Sequence, residues 1–168
     1  MVMVKWAIII VALVVIAGLL AGQLGLLKGT PPTDLGLHEG RLKPPSKTPN
    51  SVSSQASLYP DHPQRSYADI APLPANGEPE EAALDRIANI VEAMDGAKIV
   101  KKEPGYLYAQ FTTRLMKYVD DAEFWFDLAA GVIQVRSASR LGSSDLGVNR
   151  KRIEFIRQKL QNSRHLLR

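Results

Sequence analysis

No cysteine occurs among the 168 residues. That excludes thiolate metal sites, iron–sulfur clusters, cysteine nucleophiles and a disulfide framework, so stability must come from packing. The three histidines, His38, His62 and His165, show no metal-ligand spacing. Phosphate-cradling glycine loops are missing. Ser51, Ser53 and Ser54 lack the Gly-x-Ser-x-Gly setting of a serine hydrolase. Asp120, Asp121 and Glu123 fall outside the Asp-x-Asp-x-Asp-Gly pattern of a calcium loop, and alternation along a strand splits neighbouring carboxylates between faces. No cofactor and no metal is expected.

What the chain does have is unevenly distributed charge. The net charge is +4. Residues 78–135 hold six cations against eleven acids, whereas residues 136–168 hold nine cations against two acids. The basic tail (Arg157, Lys159, Arg164, Arg168) has a charge that would attract nucleic acid. Beyond a membrane anchor that partner is out of reach, so anionic lipid or a solvated helix face fits better.

The anchor is written in residues 1–28. Every residue from Trp6 to Gly22 is apolar, and the uncharged stretch Trp6 to Leu27 counts 22 residues between Lys5 and Lys28. About 20 helical residues span a bilayer core. Trp6 sits where an interfacial aromatic belongs, and Ile10, Val14, Leu19 and Leu27 are among the side chains that would face lipid. The run is long for a signal peptide and no clean Ala-x-Ala site follows it, which favours a retained single-pass anchor over a cleaved leader. The expected address is the membrane, with the C-terminal part on the periplasmic, non-cytoplasmic side, although the flanking lysines set no clear positive-inside asymmetry.

Residues 29–77 carry nine of the eleven prolines, which excludes a continuous helix or a central strand. Apolar residues such as Leu42, Val52, Tyr67 and Leu73 mark it as an extended tether that partly wraps a domain. That domain is expected over residues 78–168. Leu84, Ile87, Val91 and Met94 form one helical stripe between Pro79 and Gly96. Four strands follow, at 97–102, 106–113, 119–128 and 132–138, and then a helix from near Leu146 to about Leu160 that presents Val148, Ile153, Ile156 and Leu160. The expected fold is α+β, a four-stranded antiparallel sheet with two helices on one face.

A turn at Leu128 to Gly131 sets Trp125 opposite Gln134 and Glu123 opposite Arg136, so that an acidic strand meets Arg136 and Arg140. Next, Arg150, Lys151 and Arg152 crowd the start of the last helix, where the positive end of the dipole disfavours them. Their counter-charge comes from the strand acids Asp120, Asp121 and Glu123, from Asp145, or from an external phosphate, lipid headgroup or glycan acid. With Ser137, Ser139 and Asn149, these residues are the candidate polar network or anion and partner site.

The strings DLGLHEGRL (Asp34 to Leu42), TPNSVSSQA (Thr48 to Ala56), ADIAPL (Ala68 to Leu73), VDDAEFWFD (Val119 to Asp127) and VIQVRSASRLGSSDLGVNRKRIEFIR (Val132 to Arg157) resemble the domain-of-unknown-function 1499 family of bacterial envelope and plastid proteins. The resemblance implies a small α+β domain, often behind a signal or anchor, without established activity. Related sequences carry cysteines where this chain has Pro45 and Ser51, so a disulfide implied for the family is absent here. The resulting expectation is a non-enzymatic accessory domain that contacts membrane lipids and another membrane or envelope protein. Binding of an anionic lipid or envelope metabolite by the arginines is the alternative. An enzyme using Asp121 or Glu123 as general base is the third reading.

Overall fold

A computed structural model describes residues 2–165, with side chains as far as residue 162. The side chains of Arg164, His165 and Arg168 lie outside the described residues. Helix α1, Val2–Gln23, is long and apolar enough to cross a bilayer. Its flanks carry the exposed Trp6, Ile10 and Val14, while Leu19 and Leu27 are half-buried. Its last turns rest on the domain. A Cβ at Gly22 would lie 2.7 Å from the carbonyl oxygen of Met116, and one at Gly18 would lie 3.7 Å from Met116 Cε. Gln23 Nε2 donates to Leu115 O at 3.0 Å.

The four long strands form as the alternation requires: β3 (Ala97–Glu103), β4 (Tyr106–Thr112), β5 (Val119–Asp127) and β6 (Val132–Ser139). The sheet nevertheless has six strands, not four. Two short pieces of the proline-rich segment, β1 (Ser51–Ser53) and β2 (Leu73–Pro74), pair antiparallel with β6. Strands of three and two residues are too short to show a period of two, so the pattern hid them. Proline fits β2 because an edge position needs no ladder donor.

Helices α3 (Glu80–Glu92) and α4 (Val148–His165) cover one sheet face. Leu84, Ile87 and Val91 of α3 and Ile153, Ile156 and Leu160 of α4 pack with Leu107, Phe111, Phe124 and Val135 in one core. Val52 and Leu73 of the wrapping segment belong to the same core. Pro79 is the residue before α3 rather than its first member, and Val148 is 44% exposed instead of packed. The segment also contains a 3-10 turn, Ala56–Leu58, and a one-turn helix α2, Arg65–Ala68, so the helix count exceeds two. Gly96, at φ 71°, ends the α3 excursion where any Cβ would meet Thr112 O at 2.1 Å.

The β5–β6 register is Trp125 to Gln134 and Glu123 to Arg136, with the hairpin turn at 128–131. Alternation then sends Ala122, Phe124 and Phe126 into the helix-covered core and Asp121, Glu123 and Trp125 to the outer face. The first part of the proline-rich segment lies over that outer face, where Pro44 and Gly36 touch strand side chains.

Candidate functional site

Three of the four acids of β5 each meet one arginine, while the fourth, Asp127, accepts from Gln134 Nε2 and the Ala130 amide. Asp120, near the helix-covered side, accepts from Arg152 Nη2 at 2.5 Å. Asp121 receives Arg140 through two parallel bonds, Nε to Oδ2 at 2.8 Å and Nη2 to Oδ1 at 2.7 Å. Tyr108 adds a hydroxyl donor to Asp121 Oδ1 at 2.5 Å. Glu123 Oε1 accepts from Tyr106 O–H and from the Gly36 amide, both at 2.8 Å. Its Oε2 accepts no hydrogen bond among the described residues and stands 3.7 Å from Arg136 Nη1. Glu123 is 0% and Asp121 3% exposed. Charges this deep are tolerated only when paired.

Burial and neighbours pull the titrations in definite directions. Burial disfavours the charge on Arg136, opposed by Glu123, Asp121 and Asp34. The Asp121 bond holds the Arg140 guanidinium more firmly protonated. Burial, then the Glu123 charge, pushes the Tyr106 hydroxyl well above its ordinary range, so it stays a donor. Burial, then the Asp121 bond, also raises the Tyr108 hydroxyl.

A second centre sits where α4 begins. Asn149, fully buried, donates from Nδ2 to Asp145 Oδ2 at 2.8 Å, to Ser139 Oγ at 3.0 Å and to Asn50 O at 3.2 Å. Its Oδ1 accepts from Ser137 Oγ at 2.6 Å and from Arg152 Nη1 at 2.7 Å. Asp145 takes the amides of Gly147 and Asn149, each at 3.0 Å, and the Tyr67 hydroxyl. It thereby places negative charge at the positive end of the helix. Burial opposes that charge, but the bonds from Tyr67, Asn149 and Gly147 win and hold the carboxyl below its ordinary range.

The three cations at the helix start have different fates. Arg152 belongs to the Asp120 pair and lies 4.3 Å over the Phe111 ring, a contact that adds roughly 2 kcal/mol where water is excluded. Arg150 Nη2 donates to the carbonyls of Tyr67 at 2.6 Å and Asp69 at 2.8 Å. Lys151 is exposed. About two turns onwards, Arg157 reaches Pro72 O and Ala71 O, both at 2.6 Å. Arg150 and Arg157 thus pin the return limb of the wrapping segment to α4, while Arg136 Nε holds its outgoing limb through Pro44 O at 3.1 Å.

The structure thus divides the expected constellation between the two sheet faces: Asp121, Glu123, Arg136 and Arg140 meet on the outer face, Asp120, Ser137, Ser139, Asp145, Asn149 and Arg152 meet at the start of α4, and Arg150 turns to the wrapping segment. Trp125 stands apart, half-buried on the outer face opposite Gln134 and Tyr106. Sequence reasoning missed Asn50, Gln55, Tyr67, Tyr106 and Tyr108. Asn50 and Gln55 alone gave a signal, both inside the string TPNSVSSQA. Asn50 Nδ2 donates to Gly142 O at 2.8 Å. Gln55 Oε1 accepts the buried Leu42 amide at 2.8 Å. Where the resemblance implied a disulfide in related sequences, Ser51 Oγ accepts the Ser46 amide at 2.7 Å, so a hydrogen bond ties this stretch of chain. Between the 30–34 and 43–47 limbs and the sheet remains an open cleft of about 680 Å³, with Arg136 and Arg140 on its floor and Lys47 at its rim.

These features define a small α+β domain clasped by its own proline-rich segment. The family model described as "Protein of unknown function (DUF1499)" matches residues 41–160, and the chain belongs to that family. No curated protein and no solved structure matches the chain.

Proposed function

We propose that the chain is a membrane-anchored, non-enzymatic accessory domain, held by α1 on the non-cytoplasmic side of its membrane, that docks onto another membrane or envelope protein. The observation that carries this reading is the use of Asp120, Asp121 and Glu123 inside the fold. A general base must be reachable by the proton it removes. Asp121 and Glu123, the two candidates, are covered and already accept from Arg140, Tyr108 and Tyr106. The arginines that would clamp an oxyanion hold carboxylates and backbone carbonyls instead. What is left for function is surface and position. Extraction of native membranes in mild detergent should bring down a stoichiometric partner with the full chain. A clean monomer at native expression overturns the reading.

The cleft floored by Arg136 and Arg140 favours one second reading, an anionic lipid or metabolite bound beside Lys47. It predicts a phosphate-bearing lipid retained through purification and lost in Lys47→Glu.

A further inference from the structure

We propose that the domain sits directly on the bilayer: the loops at 113–118 and 140–147 form an apolar tip that enters the lipid interface beside α1. Leu115 and Leu146 lead it, and Lys28, Arg114 and Lys117 lie at the level of anionic headgroups. This rests on the reading of α1 as a membrane-spanning anchor.

The contact with α1 fixes the depth of the tip. Met116 packs against Gly22 and reaches Gly18, both inside the uncharged run that ends at Leu27. A bilayer core takes about 20 helical residues at roughly 1.5 Å each. With Trp6 at one boundary, the other falls near Gly25. Gly18 then lies about 10 Å and Gly22 about 4.5 Å inside it. Sliding the helix until Gly18 reached the headgroups would leave only the stretch from Trp6 to Ala17, about 18 Å, to span a core of roughly 30 Å. Wherever α1 spans, the Met116 loop is at lipid depth.

The two loops also expose large apolar side chains. Both lie at one end of the sheet, since Asp120 pairs with Ser139. Leu115 is 63% and Leu146 85% exposed, and Tyr118, Leu141 and Val148 are exposed beside them. Leu146 is held at φ 51°, a conformation in which an exposed leucine has no local advantage. A hollow of about 470 Å³ joins Leu27 of the anchor's exit to Tyr118, Leu141, Leu146 and Val148. So continuous an apolar surface marks a binding face, and its continuity with α1 makes lipid the occupant. Lys28, Arg114 and Lys117 form no ion pair among the described residues. Cations in that position favour anionic lipid.

The cysteine-free chain makes the test direct. Full-length single-cysteine variants Val14→Cys, Leu115→Cys, Leu146→Cys and Leu128→Cys are labelled with a polarity-sensitive fluorophore. They are then reconstituted in vesicles of mixed phosphatidylcholine and phosphatidylglycerol. Leu128 is 80% exposed at the opposite end of β5, about 27 Å away along the strand. Labels at 14, 115 and 146 should be quenched by spin-labelled lipid and shielded several-fold from aqueous iodide, with the reverse at 128. A label at 14 quenched by lipid while those at 115 and 146 behave like 128 overturns the seating but leaves the anchor. Shielding at 115 and 146 without lipid quenching means a protein covers the tip, and overturns it too. A label at 14 open to iodide removes the anchor reading itself.

Discussion

Arg140 grips Asp121 with two parallel hydrogen bonds of 2.8 and 2.7 Å, and both side chains are almost fully buried. A bidentate pair of this kind fixes geometry as well as charge, here between the start of β5 and the end of β6. Asp121→Asn leaves the Arg140 charge buried and unmatched, and should lower unfolding stability by about 3–5 kcal/mol. Replacing both by apolar residues of similar volume should recover much of that loss. Urea denaturation of the single and double variants in detergent measures both effects.

Glu123→Gln should cost about 3 kcal/mol, because Arg136 loses its ion-pair partner and the largest of the charges that oppose its burial, while the bonds from Tyr106 and Gly36 can persist. An unchanged melting temperature would remove the pair from the account.

Ser51→Ala removes the acceptor of the Ser46 amide and should cost about 1 kcal/mol. The effect should be confined to the 44–51 stretch, visible as faster proteolysis there with little change in the sheet.

The Asp145 carboxyl sits below its ordinary value of 3.8: burial works against the charge, and the bonds from Tyr67, Asn149 and Gly147 outweigh it. A depressed carboxyl contributes stability that is complete above its unfolded value and is lost as pH falls through the folded one. Stability should therefore decline with acid below pH 3.8. The decline should be shallower in Asp145→Asn, which starts from a lower stability at neutral pH. Unfolding followed across an acid pH series checks the slope.

Gly22→Ala brings a methyl to 2.7 Å from Met116 O, so the loop or the helix must move, whereas Gly18→Ala meets Met116 Cε at an ordinary 3.7 Å. The first should destabilise the helix–domain contact by about 1–3 kcal/mol and the second hardly at all. Cleavage rates in the 24–33 linker report the difference.

The β5–β6 hairpin was legible because two patterns agree on one register: phenylalanines alternate with acids, and only one pairing sets Glu123 against Arg136. The helix stripes at Leu84, Ile87 and Val91 and at Ile153, Ile156 and Leu160 were legible for the same reason of period. Asn50 and Tyr67 were not, because their partners lie 99 and 78 residues away and no local pattern encodes such a contact. The arginines misled in a physical way. A cationic helix start asks for an anion, and for Arg150 the answer was backbone carbonyl oxygen, which sequence does not display. The seat of α1 left one trace, the spacing of four that puts Gly18 and Gly22 on one helix face.

The central claim is that the charged constellation fastens the proline-rich segment to the sheet. Amide hydrogen exchange at Gly36 tests it most directly, because this amide donates to the Glu123 carboxylate. The account predicts strong protection at Gly36 in the wild-type chain, and its selective loss in Glu123→Ala while the Leu42, Ser46 and β4 amides stay protected. Fast exchange at Gly36 in the wild type would contradict it.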